Sequence, residues 1–257
     1  MNGAFYVAAI GLQSQQRALD VIASNIANVN TPGFKRSEVR FSDVLALRDD
    51  PDVPRADLGD APLAGDGVLV DAAPMINEAG ALDQTGHPMD LAIDGQGFIE
   101  LMGPDGQTTL WRGGTLKVGD DGLLAAANGM ALKAAITIPD DATAVTIGSD
   151  GTVSVQTADA TTPTEVGQIG LVRVDDPSGL ERLDGGLYRV NDGVRVTDAK
   201  PGEDGVGTLV QGSLERSNVE MTSEMVQLML VQRAFGANAE VVQAADQLMS
   251  IANGLRR

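Results

Sequence analysis

His87, in Gly86-His87-Pro88, is the only imidazole in the chain, and there is no cysteine. A lone imidazole with no Ser or Cys nucleophile signature beside it lacks the partners of acyl-transfer chemistry, and no second histidine completes a metal set. Thiol catalysis, Cys-based zinc sites and disulfides are excluded outright. Four acidic pairs, Asp49-Asp50, Asp120-Asp121, Asp140-Asp141 and Asp175-Asp176, could attract a divalent cation. None of them fits a twelve-residue calcium loop, so they read as solvated turn carboxylates. Gly95-Gln96-Gly97 follows a turn and leads into a predicted strand, without the strand–glycine–helix order of a dinucleotide site. Trp111, the single tryptophan, reads as packing or a partial surface anchor. The expectation is therefore no catalytic residue, no cofactor and no metal: the chain is not an enzyme.

Composition narrows the partners. Against 18 basic side chains stand 36 acidic ones, a net charge of −18 over 257 residues. Such a surface repels polyanions, which excludes nucleic acid. The charge is also unevenly placed. Residues 1–45 carry four basic and three acidic groups, residues 206–257 four and five, so the whole net charge of −18 lies between them. Of the 31 glycines, 24 fall in residues 46–205. Two near-neutral ends flank an acidic, glycine-rich middle. Met1 to Val7 carry no basic n-region and the apolar stretch breaks at Gly11, so no cleaved Sec signal is expected. No apolar run approaches the roughly 20 residues a membrane span requires, so no membrane insertion is expected.

The ends have helical spacing. Phe5, Ala8, Leu12, Gln15, Leu19, Ile22, Ile26 and Val29 alternate three and four apart, a narrow a/d seam with one polar member. The helix is expected to stop at Asn28-Val29-Asn30-Thr31-Pro32-Gly33-Phe34, where Pro32 cannot continue it and Pro32-Gly33 suits the centre of a type II turn. At the other end Met221, Leu228, Phe235, Val242 and Met249 lie seven apart, with Thr222 or Ser223 as candidate caps. A narrow-seamed helix needs a partner helix, and each terminus is the other's obvious one.

Between the ends, short apolar runs alternate with eight Asp-Gly pairs from Asp66 to Gly205, a frequent hairpin chemistry. The clearest predicted hairpin joins Val145-Thr146-Ile147 to Thr152-Val153-Ser154-Val155 through Ser149-Asp150-Gly151. Others are expected after Gly97–Leu101, at Pro104-Asp105-Gly106, and between Leu187–Val190 and Val194-Arg195-Val196. The fold class is α+β: terminal helices paired as a coiled coil around a central antiparallel all-β domain. The expected segments are 1–34 (helix and turn), 35–75 (extended linker), 76–205 (β-domain) and 206–257 (return segment and helix).

Ala23-Ser24-Asn25-Ile26-Ala27-Asn28-Val29-Asn30-Thr31-Pro32-Gly33-Phe34-Lys35 resembles the N-terminal signature of bacterial flagellar rod and hook proteins, with Ile26 where Leu is usual. Gly212-Ser213-Leu214-Glu215-Arg216-Ser217-Asn218-Val219, then Glu224-Met225-Val226 and Gln232-Arg233-Ala234-Phe235, resemble the C-terminal one. Gly86-His87-Pro88-Met89-Asp90-Leu91-Ala92-Ile93-Asp94-Gly95-Gln96-Gly97-Phe98 is similar to the central motif, with His87 where Asn is common. Length and interior suit a rod member of the family, the distal type before the proximal.

The resemblance implies a subunit exported by the type III apparatus without a cleaved leader. It would polymerise helically into a shaft across the periplasm, in contact with other rod proteins, the hook protein and the surrounding P- and L-ring bushing. Motif positions that come with it are Asn25, Asn28, Thr31, Pro32, Gly33, Phe34, Ser217, Asn218, Val219, Gln232 and Arg233. The acidic middle would face outward. The alternative from another class is an acidic adhesin or calcium-binding β-module with helical oligomerisation arms.

Overall fold

The computed structural model describes residues 2–43 and 68–254, apart from residues 77, 104–107, 159–161, 177–178, 184, 192 and 204. Residues 44–67 of the expected linker, and the Pro104-Asp105-Gly106 turn, therefore lie outside the described residues.

The two heptad-spaced ends form helices, α1 over Asn2–Ala27 and α2 over Met221–Gly254. The start of α2 differs from the expected cap. Thr222 and Ser223 lie inside the first turn, and Glu224 donates its backbone N–H to the Glu220 carbonyl at 3.1 Å. The stop after α1 is built from the predicted turn residues. Thr31 N–H and hydroxyl both reach back to Asn28, to its carbonyl and to Oδ1, each at 3.1 Å. Phe34 N–H then closes onto the Thr31 carbonyl at 3.3 Å with Gly33 at φ +69°. That is the backbone of a type II turn, which needs a positive φ at its third residue. Among the described residues, no helix is long and apolar enough to cross a membrane.

The chain divides into two compact units. One comprises Met1–Ala27, Ser37–Ala73 and Glu220–Arg257; the other comprises Asn28–Arg36 and Pro74–Val219. In the first, α1 and α2 pack on one another, and Ser37–Asp43 pairs with Val68–Pro74 as a two-stranded sheet. Both strands lie where an extended segment was expected. The boundary also differs: Asn28–Arg36 groups with the sheets, not with the helix that precedes it.

The second unit is an assembly of small sheets, antiparallel in every described register. The predicted hairpin joins Ala142–Ile147 to Thr152–Thr157, with Val153 opposite Ile147, and Thr164–Gln168 adds a third strand. A four-stranded sheet runs in the order Leu180–Leu183, Leu187–Val190, Thr108–Trp111, Ile99–Met102. A second runs Thr208–Gln211, Asp90–Asp94, Gly113–Val118, Leu124–Ala126.

The expected hairpin between Leu187–Val190 and Val196 is not formed. Leu187–Val190 pairs instead with Leu180–Leu183 and Thr108–Trp111, and Val196–Ala199 pairs with Leu171–Val174. The physical reason is two-sided burial. Leu187 packs with Ile99, Leu101 and Trp111 in one core, while Tyr188 packs with Phe98, Leu110 and Leu180 in another. Such a strand belongs in the middle of a sheet, and turn chemistry specifies only local reversals.

Gly113, where Thr108–Trp111 hands over to the next strand, sits at φ +102°, and a Cβ there would stand 2.5 Å from the Leu91 carbonyl oxygen. Gly113→Ala should therefore cost about 3 kcal/mol of stability. Urea unfolding followed by the fluorescence of Trp111, 5% exposed in the core, measures it.

Candidate assembly site

The helical unit shows where its sequence-predicted seam lies. On α1 the buried positions are Ser14, Ala18, Ile22 and Asn25, three or four apart; Leu12, Leu19 and Ile26 are half-buried beside them. Small residues head this row, and a Cβ on Gly11 would come within 3.2 Å of the Asn238 amide on α2, so the helices approach closely. On α2, Leu228 and Val242 are half-buried and Met221 and Phe235 exposed; the Met249 side chain lies outside the described residues. Val29, past the end of α1, is half-buried.

The outward side of α2 is more informative. Met225, Val226, Met229 and Leu230 are 49%, 48%, 51% and 59% exposed. Four consecutive-turn apolar side chains in water are an open patch, not scattered surface residues.

Asn25 closes the end of this unit. Its Oδ1 accepts the Ser37 N–H at 2.9 Å, while Nδ2 donates to the Ser37 carbonyl at 2.9 Å and to Glu224 Oε2 at 3.2 Å. Glu224 is fully buried. One motif amide thus pairs strand backbone and the first turn of α2.

In the sheet unit, the segment after the Pro32-Gly33 turn is held by buried charge. Lys35, Arg112 and Glu215 are all 3% exposed or less. Lys35 Nζ donates to Glu215 Oε1 and to the Glu78 carbonyl, both at 2.6 Å. Arg112 grips both Glu215 oxygens at 3.1–3.3 Å and donates to the carbonyls of Gly97 at 2.7 Å and Gly95 at 2.9 Å. Gly80 N–H also donates to Glu215 Oε1 at 2.9 Å.

Burial, and then the neighbouring Arg112 guanidinium, holds the Lys35 ammonium below the usual lysine range; Glu215 opposes both. The Arg182 guanidinium lies over the Phe34 ring at 4.1 Å and donates to the Lys35 carbonyl at 2.7 Å. Asn218 completes the set, its Oδ1 accepting the Arg36 N–H at 2.6 Å and its Nδ2 donating to the Glu78 carbonyl at 3.2 Å. Ser217 Oγ accepts the Val219 N–H at 3.3 Å, and Val219 itself is buried.

Sequence matching then decides the kinship. Residues 5–35 match the family described as flagella basal body rod protein, 92–155 the D1 domain of flagellar hook protein FlgE/F/G, and 210–255 the C-terminal region of flagellar basal body rod FlgEFG proteins. Flagellar basal-body rod protein FlgG of Caulobacter vibrioides is 36% identical, with 98% of this chain and 99% of that one covered. FlgG of Borreliella burgdorferi is 34% identical over the whole of both chains. FlgF of Caulobacter vibrioides is 32% identical, covering 96% and 95%.

This chain belongs to the flagellar basal-body rod protein family. Members are structural proteins, not enzymes, which agrees with the chemistry expected from the residues. The motif positions of this family member do different jobs. Asn25, Asn28, Thr31, Gly33, Phe34, Ser217, Asn218 and Val219 shape turns or hold backbone; Pro32, Gln232 and Arg233 are exposed. His87 is exposed on a turn where its backbone, not its imidazole, bonds Thr85 and Asp90. The ionic cluster has no signature of its own in the sequence, although Lys35 and Glu215 stand inside the N- and C-terminal motifs. A charged residue within a turn-and-strand motif was the available signal.

Tyr188 offers a pH test of this rod family member's core. It is fully buried, and among the described residues its hydroxyl has no hydrogen-bond partner. Burial, with a smaller upward contribution from Glu215, pushes its pKa up to about 12 against the downward pulls of Arg182 and Arg112. The folded state therefore keeps a proton that the unfolded chain releases near pH 10, so stability is present below about pH 10 and is lost as pH rises toward 12. Tyr188→Phe should abolish that alkaline loss. It should also gain about 1 kcal/mol at neutral pH by removing an unsatisfied hydroxyl. Urea midpoints across the alkaline range measure both.

Proposed function

We propose that this chain is a structural subunit of the flagellar basal-body rod, polymerising helically into the hollow shaft that carries torque from motor to hook, with the distal segment as its place. The observation that carries this reading is the open apolar face of α2, Met225, Val226, Met229 and Leu230. A monomer has no use for it, whereas close-packed copies of one helix do. Kinship supports the distal assignment over the proximal one. Within one organism, Caulobacter vibrioides, the FlgG relative is 36% identical and the FlgF relative 32%.

In the polymer, α1 and α2 act as a coiled-coil pair lining the inner tube. Leu12, Leu19, Ile22, Ile26 and Val29, with Met221, Leu228, Phe235, Val242 and Met249, form its assembly seams. The acidic sheet unit faces the P- and L-ring bushing, where like charge keeps a rotating surface from sticking. Other rod proteins and the hook protein are the axial neighbours. The subunit reaches the periplasm through the type III export apparatus.

Isolated basal bodies labelled with antibody to this chain test the assignment. Label between the proximal rod and the hook is the expected result. Label confined to the proximal rod, or absent from basal bodies, would sink the distal reading or the rod reading respectively.

A further inference from the structure

The segment Thr31–Arg36 is held to the sheet unit much as a bound peptide would be. Phe34 is buried under Arg182, Gly33 N–H donates to the Glu215 carbonyl at 2.7 Å, and Arg36 N–H donates to Asn218. Its most buried tie is ionic, Lys35 on Glu215. That tie sits in a cluster with two cations and one carboxylate, all fully out of water. The exposed Glu78 carboxylate acts on Lys35 more weakly than either Arg112 or Glu215. Buried charge is stable when balanced and satisfied by hydrogen bonds, and this cluster carries one cation too many.

The two cations are not equivalent. Arg112 is anchored by two backbone carbonyls and both oxygens of Glu215. Lys35 has one carbonyl and one carboxylate oxygen, and it belongs to the segment that can leave. When Lys35 withdraws into water it regains full hydration, and what remains is a balanced, hydrogen-bonded Arg112–Glu215 pair.

We propose that Lys35 is a releasable latch: its ion pair with Glu215 fastens Thr31–Arg36 to the sheet unit, and breaking it frees that segment as one piece while the sheets stay folded. This strap is the stretch of chain between α1 and the strand Ser37–Asp43. A latch there lets the segment that follows α1 reorient without the cost of unfolding a domain. The inference stands on the cluster's geometry and does not depend on the rod assignment.

Hydrogen–deuterium exchange of the full chain, read on peptides covering residues 31–36 and on peptides covering Asp90–Asp94 and Thr152–Thr157, tests it. Lys35→Met keeps Arg112 and Glu215 paired. It should speed strap exchange at least tenfold and leave both sheet peptides unchanged. Arg182→Gln removes the carbonyl anchor and the Phe34 stack without touching the buried charges, and should have a smaller effect on the strap. In the unaltered chain, strap protection should hold from low salt to about 1 M, because a buried pair is poorly screened. Strap exchange unchanged in Lys35→Met overturns the latch, as does strap and sheet exchanging together. A larger effect from Arg182→Gln than from Lys35→Met would assign the strap to the Phe34 stack instead.

Discussion

Leu230→Glu should leave the folded monomer untouched and abolish polymerisation. Leu230 is 59% exposed on α2, the most open of the four apolar residues on that helix's outward side. Glu has a helix propensity close to that of Leu, so the substitution changes the surface without unwinding the helix. Thermal unfolding of the monomer should therefore shift by no more than about 0.5 kcal/mol. In the proposed helical polymer the same residue would be covered by a neighbouring copy. Losing that burial costs about 1.5–3 kcal/mol per subunit contact, and a carboxylate left in a dry interface adds more. At about 1.4 kcal/mol per factor of ten, the critical concentration should rise at least about a hundredfold. Sedimentation of assembled material against total protein measures it. Polymers that form at the unaltered concentration would remove α2's outer face from the interface.

Arg112→Met should be among the most damaging single changes within the sheet unit. The guanidinium is 2% exposed and satisfies the carbonyls of Gly95 and Gly97 and both oxygens of Glu215. Met fills much of the space but donates nothing, so two buried carbonyls and a carboxylate oxygen are orphaned together. Lys35 still balances the Glu215 charge, so the cost is that of the three orphaned acceptors, about 1–3 kcal/mol each. A total loss of about 3–5 kcal/mol is expected, against a far smaller and local effect for Lys35→Met. Urea unfolding of the full chain, followed by Trp111 fluorescence, separates the two. Equal destabilisation by both substitutions would mean that Arg112 is no more anchored than Lys35.

The same cluster gives a reason for glycines that a motif match only counts. Gly95 sits at φ +126° with its would-be Cβ 2.7 Å from the Gly207 Cα, and a Cβ on Gly207 would stand 2.2 Å from the Asp94 carbonyl oxygen. Backbone meets backbone there because neither residue carries a side chain. That close approach turns the Gly95 and Gly97 carbonyls into the cradle of Arg112. The central motif is therefore a structural cradle rather than a ligand loop.

What the sequence determined by itself is local. Heptad spacing specified α1 and α2, because a helix repeats within a few residues and needs no knowledge of its partner. Asn28, Thr31, Pro32 and Gly33 specified the turn after α1, and Ser149-Asp150-Gly151 the hairpin it joins, since φ preferences act within three or four residues. The tertiary structure alone decided which helical row is buried. Spacing ran through Leu12, Leu19 and Ile26, yet Ser14, Ala18 and Asn25 go inside with Ile22, because small side chains let two helices approach. It also decided that Leu187–Val190 sits mid-sheet between strands distant in sequence. And it brought Lys35, Arg112 and Glu215 together from three remote positions. Charge pairing acts through space and leaves no period along the chain, so only the folded molecule reveals it.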